Sequence, residues 1–129
     1  MEKANLTQLF SSFDDHWSPK IVAELNGQHV KIAKILGEFV WHHHESEDEL
    51  FLVHRGRLRI EFRDRTVELK EGDMLVVPRG VEHRPVADEE VELLLFEPAG
   101  TLNTGNVSNE RTVREPGRFS PTATTGTGS

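Results

Sequence analysis

The apolar positions divide the chain into a short helical opening and a long run of brief strands. Leu6, Leu9, Phe10 and Phe13 recur at the helix period and define one apolar stripe. Asn5 and Gln8 are placed as a capping pair, and Pro19 ends any helix. From Ile21 the period changes. IVAEL and HVKIAKIL flank the dipeptide Asn26-Gly27, the signature of a hairpin with a tight turn. VWHHH, ELFLVH, RLRIEF, TVELK, MLVVP and VELLLF follow, separated by ESED, Arg55-Gly56, Asp64-Arg65, Glu71-Gly72, PRGVEH and Asp88-Glu89-Glu90. Within RLRIEF, Leu58, Ile60 and Phe62 alternate with Arg59 and Glu61, as a half-buried strand requires. Short strands with turn signals this regular predict an all-β sandwich or barrel preceded by a short helix.

Two of the strands are apolar on both faces. ELFLV and VELLLF place Leu or Phe on alternate sides, which a sheet with one solvated face does not do. The N-terminal helix is expected to cover part of the second face and a partner subunit the rest, so the sequence predicts a homodimer. Phe39, Val40, Phe51, Val53, Ile60, Phe62, Met74, Val76, Leu93 and Leu95 form the expected core. Trp41 alternates away from His42 and is expected to pack on the helix or on a partner.

Composition narrows the function. The 129 residues suffice for one domain, and 22 acidic against 15 basic side chains give a formal net charge of −7. That balance argues against nucleic acid and against anionic membranes as partners. With no cysteine, disulfides and thiolate metal sites are excluded, and any metal must sit on nitrogen and oxygen. MEKANLTQLF holds no apolar run of signal-peptide length, and no stretch approaches a membrane span. The expectation is a soluble, cytoplasmic protein.

The candidate chemistry lies in the histidines. His42, His43 and His44 are consecutive, and neighbours on a strand face opposite ways. His42 and His44 therefore share a face and can reach one metal ion, while His43 points outward. Glu49 follows the turn ESED and returns to the same interior. Gly72, then Pro78-Arg79-Gly80, leads to His83, which supplies a fourth ligand from a distant strand. Neutral imidazoles with one carboxylate suit zinc, manganese, iron or nickel. Four such ligands leave one position open on a five-coordinate ion and two on an octahedral one. His16 and His29 have no partner pattern, and His54 is expected as an exposed turn residue. Arg79 and Arg84 flank the second cluster and are expected as solvated arginines more than as a guide for anionic substrates.

These residues resemble the cupins. His42-x-His44-x4-Glu49-x6-Gly56 matches the first cupin motif from its histidines onward, and Gly72-x5-Pro78-x-Gly80-x2-His83 matches the second through its histidine. Gly37 stands one residue too close to His42 for the family's opening glycine, and Ala87 occupies the closing asparagine position. The resemblance implies a double-stranded β-helix, or jelly-roll barrel, of the small bacterial type similar to the sugar-phosphate isomerase-like cupins. The apolar pattern and the low-complexity end of the chain divide it into a helical segment over residues 1–18 that packs on the barrel, the barrel over 19–115, and a disordered tail over 116–129, with the resemblance covering roughly residues 30–98. The resemblance implies one divalent metal ion on His42, His44, Glu49 and His83. With iron, nickel or copper it implies a dioxygenase; with zinc or manganese, an isomerase or lyase. Glu49 is the expected catalytic residue, either staying ligated or serving as a base, and the partner is a small molecule. The alternative is a non-catalytic module that binds or senses a small metabolite through its metal.

Overall fold

The structure is a computed structural model that describes residues 2–114 and 116–119. Its elements are α1 (Leu6–Phe10), β1 (Lys20–Leu25), β2 (Gln28–Glu38), β3 (Glu49–Arg55), β4 (Leu58–Phe62), β5 (Thr66–Leu69), β6 (Met74–Val77), β7 (His83–Pro98) and β8 (Gly117–Arg118). The fold is an all-β jelly-roll sandwich with one short helix. No helix among the described residues is long and apolar enough to cross a membrane.

Helix α1 is capped as its sequence predicts: the Asn5 side chain accepts the Gln8 backbone N–H at 3.0 Å. Asn26 and Gly27 both take positive φ, 51° and 75°, the backbone that a two-residue hairpin turn needs between β1 and β2.

One strand organises the sheet. Strand β7 pairs antiparallel with β2 along most of its length. On its other edge it pairs first with β4, Phe62 opposite His83, and then with β3, Leu50 opposite Phe96. The acidic run Asp88-Glu89-Glu90, a turn by its sequence, lies inside this strand. Gly37 pairs with Ala87 and Ile35 with Val91, so three residues of β7 face a single residue of β2 and bulge into solvent without breaking the strand.

The core has two parts. Inside the barrel, Ala33, Ile35, Phe51, Val53, Leu58, Ile60, Leu93 and Leu95 pack together. On the outer face of β1 and β2, the α1 stripe of Leu9, Phe10 and Phe13 covers Val22 and Ile32. Leu94 packs against this cluster, which is how β7 covers its second apolar face. Met74 and Val76 are not core residues. They are 65% and 53% exposed, because on β6 it is Leu75 and Val77 that turn inward, and β6 pairs with β3 alone. His54 is not in a turn either. It lies in β3, stacks on Phe10 at 5.0 Å between ring centroids and meets Glu92 at 2.8 Å. Trp41 packs not on the helix but under the Arg63 guanidinium, 3.8 Å from its ring centroid.

The loop after β7 reaches Lys31 through Thr101 O and His43 through Asn106, and β8 adds a short parallel pairing to β1, with Phe119 against the Phe13 ring at 5.5 Å. Residues 120–129, most of the stretch read as a disordered tail, lie outside the described residues.

Candidate metal centre

His42, His44, Glu49 and His83 come together inside the barrel. Each offers a ligand atom, these atoms lie within 4.8 Å of one another, and all four residues are buried. The segment VWHHH is not a ladder strand. It is extended, and only His42 is bridged, to His83. The alternation expected of a strand still holds: His43 stays out of the cluster, with its Nε2 3.7 Å from Glu45 Oε1.

Two of the imidazoles are aimed by backbone carbonyls. Nδ1 of His42 lies 2.9 Å from Val40 O, and Nδ1 of His83 lies 2.9 Å from Val81 O. A ring nitrogen that donates to a carbonyl leaves Nε2 as the free lone pair. His44 Nε2 lies 3.3 Å and His83 Nε2 3.7 Å from Glu49 Oε1. Both Nε2 atoms are buried without a hydrogen-bond partner. A buried ring nitrogen left unpaired is costly, and one cation among these atoms would satisfy both. The donor set therefore fits a divalent metal.

Electrostatics agree. Burial, together with the nearby His83 ring, lowers the pKa of His42 to about 4, so its imidazole is neutral and ready to ligate at neutral pH. Burial alone would raise Glu49. The neighbouring Glu97, His44 and His83 side chains outweigh it and hold Glu49 well below the usual carboxylate range.

Comparison with known proteins fits this geometry. Residues 28–97, more than half of the chain, match the family described as a cupin domain. The chain belongs to the cupin family. A cupin-2 domain protein of Shewanella frigidimarina shares 48% identity over 73% of this chain and 92% of its own, with a TM-score of 0.72. A Neisseria meningitidis protein shares 31% identity over 76% of this chain and 100% of its own, with a TM-score of 0.70. The uncharacterised Bacillus subtilis protein YdbB is 45% identical over 64 residues, which span 49% of this chain and 57% of that one.

This cupin holds its cluster with residues that its motifs do not include. Glu97 is 1% exposed, and it and Glu49 each stand one residue beyond the Phe96–Leu50 pair that ends the β3–β7 ladder. One of its oxygens accepts from Lys31 Nζ at 2.9 Å, and the other, Oε1, has no partner. Burial and the Glu49 charge push the Glu97 carboxyl well above its ordinary pKa, against the pull of Lys31. Lys31, also buried, donates to Thr101 O at 3.2 Å as well. His83 opens β7 and Glu97 stands next to its end, so the two ends of one curled strand meet at the same carboxylate.

The mouth is built by the loop after β7. Asn106 accepts His43 N–H through its side chain at 2.8 Å and donates its own N–H to His43 O at 3.0 Å. Gly105 lies so close to His43 O and the His42 ring that a Cβ there would overlap them. On another side, Trp17 takes a φ of 59°, rare for a bulky residue, held by hydrogen bonds from its N to Lys34 O and from its Nε1 to Leu36 O. Its ring stacks on Phe39 at 4.6 Å.

Against the cluster lies a cavity of about 40 Å³ lined by Trp17, Ala33, Phe39, Phe51, Leu93 and Leu95 beside His42, Glu49 and Glu97. Arg79 and Arg84 are not among its lining. Arg79 holds Asp48 at 3.2 Å, and Arg84 holds Glu61 at 2.7 Å. The sequence carried no signal for Lys31 or Glu97 beyond a charged residue in an otherwise apolar strand. The β2 run HVKIAKIL and the end of VELLLFE look amphipathic until the curl of β7 closes the barrel around them.

Proposed function

We propose that this cupin binds one divalent ion through His42, His44, Glu49 and His83 and acts as an enzyme on a small molecule that reaches the ion from the apolar cavity. The observation that carries this reading is the convergence of four buried ligand atoms within 4.8 Å. Zinc, manganese, iron and nickel all suit the donor set. The ion, when bound, supplies Lewis acidity or oxygen activation. The chain's own residues supply the rest. His42, His44 and His83 present ring nitrogens, Phe39 and Phe51 exclude water, and Glu49 either stays ligated or leaves the ion to serve as a base toward the substrate.

The cavity wall favours a compact, mostly apolar substrate with one or two oxygen donors over a phosphorylated sugar. Its lining contains no Lys or Arg, and the buried Lys31 is turned onto Glu97 and Thr101 O. The second reading, a binding or sensing module without turnover, draws on the cavity's small volume. Loading the protein with each metal and assaying diketones, catechols, hydroxy acids and sugar phosphates separates the two. Turnover of one class supports the enzyme; saturable binding without turnover supports the sensor.

The same reading makes the protein a cytoplasmic homodimer. The lack of cysteine fits a reducing compartment, and exposed Met74 and Val76 extend the apolar outer face of β3. Light scattering that gives a monomer at micromolar concentration would overturn the dimer.

A further inference from the structure

The three imidazoles of the cluster are not supported alike. His42 and His83 each place Nδ1 on the carbonyl two residues earlier in the chain, Val40 O and Val81 O. The same rule applied to His44 would use His42 O. That oxygen is turned toward β7, where it accepts His83 N–H at 2.9 Å. His44 Nδ1 is left buried, with no hydrogen-bond partner. Water cannot stand in freely, since the His44 side chain is 2% exposed.

One carboxylate faces this orphaned atom. Glu47 Oε1 lies 4.0 Å from His44 Nδ1, about 1 Å beyond hydrogen-bond range. Glu47 makes no hydrogen bond among the described residues. Its placement has a local cause: Asp48, the next residue, accepts the Arg79 backbone N–H at 2.9 Å and its guanidinium at 3.2 and 3.3 Å. That clamp fixes the loop and turns Glu47 inward. Its side chain is 31% exposed, whereas that of Glu45 on the same loop is 80% exposed and faces His43. His44, Glu45 and Glu47 all line an open cleft of about 430 Å³ with Leu102, Gly105 and Asn106, and of the two carboxylates only Glu47 lies near His44 Nδ1.

We infer that Glu47 is the positioning residue of His44, accepting Nδ1–H so that Nε2 faces the ion. The assignment rests on the metal-site reading above. A carboxylate behind a ligating histidine fixes its tautomer and ring plane and makes the ligating nitrogen more basic. It does for His44 what the two carbonyls do for His42 and His83, and it gives the acidic loop a task other than solvation.

The test measures zinc affinity of the full chain by chelator competition for wild type, Glu47→Ala, Glu47→Gln and Glu45→Ala. Glu47→Ala should weaken zinc about 10- to 100-fold. Glu47→Gln should lose less, because its amide oxygen still accepts. Glu45→Ala, which removes the same charge from the same loop, should stay within about twofold. In ¹H–¹⁵N spectra of the zinc-loaded protein, the His44 proton should sit on Nδ1, with a resonance moved upfield by Glu47→Ala and largely kept by Glu47→Gln. Should the alanine variant not fold, the glutamine variant and the Nδ1 resonance carry the test. Equal zinc affinity in wild type and the Glu47 variants overturns the assignment while leaving the metal site standing. Equal losses in the Glu45 and Glu47 variants overturn it as well, since charge alone would then explain both. Wild type that binds no zinc overturns the metal site and the assignment with it.

Discussion

His42 and His83 hold each other through their backbones: His42 N–H donates to His83 O at 3.0 Å, and His83 N–H donates to His42 O at 2.9 Å. The bridge joins residues from the two motifs and is itself isolated, although His83 also pairs with Phe62 of β4. Position is thus set by the main chain and ligation by the side chain, so the two functions separate under mutation.

His44→Ala should therefore drop the metal content, measured by elemental analysis, from near stoichiometric to a small fraction, with an unchanged circular dichroism spectrum. His43→Ala should retain its metal, because the His43 ring lies outside the cluster. Equal metal in wild type and His44→Ala would exclude the site.

Acid should weaken the metal-free protein through His42. Folded His42 titrates at about 4 against an ordinary value of 6.5. Between these limits the unfolded chain binds the proton and the folded chain does not, so stability falls as pH drops from 6.5 to about 4, by up to about 3 kcal/mol. Glu97, whose pKa is raised, acts in the opposite sense, adding stability as pH falls through its folded value. The measurement is accordingly a difference: urea unfolding of wild type against His42→Gln across this window. The slope assigned to His42 should vanish in the variant; parallel curves would refute it.

Lys31 and Glu97 form an ion pair whose side chains are 3% and 1% exposed. Glu97→Leu leaves the buried Lys31 Nζ with Thr101 O alone, whereas Lys31→Met leaves Glu97, whose pKa is already raised, free to take a proton. Glu97→Leu should cost about 3–5 kcal/mol, and the pair Lys31→Met with Glu97→Leu should recover most of it. Denaturant melts of the single and double variants check this. If the double variant is no more stable than the single, the cost lies in packing and not in charge.

Two glycines make a contrast. Gly56 (φ 97°) would bring a Cβ to 2.8 Å from Glu90 O, and Gly105 (φ 57°) would press one into His43 O. Alanine at either should destabilise the fold by about 1–3 kcal/mol. Only Gly105→Ala should also weaken metal binding, because it alone displaces the backbone of the histidine segment. Thermal melts and zinc titrations of both variants give the comparison.

The clustering of the four proposed ligands was legible in the sequence because their spacing survives irregular backbone. His42, His44, Glu49 and His83 meet although VWHHH is no ladder strand, since extended chain alternates its side chains whether or not it is paired. Helix α1 and the Asn26-Gly27 hairpin were legible because capping and left-handed turns are local. What failed was long-range. Met74 and Val76 look like core because β-strand apolarity does not say which face is buried. Asp88-Glu89-Glu90 looks like a turn because a bulge and a turn expose the same residue types. Lys31 and Glu97 were invisible because each is costly to bury alone, and their pairing depends on the register of β2 and β3 against β7.

The curl of β7 makes the proposed metal pocket a gauge of completed folding. The carboxylate of Glu49 meets His83 from one end of that strand and Glu97 from the other, and the ring between them closes only when β2, β3 and β4 have all docked along it. A half-assembled sheet presents at most a fragment of the ligand set. Ion release and loss of the barrel should then coincide in a single transition, with the ion acting as the clasp of a bracelet that has no partly fastened state.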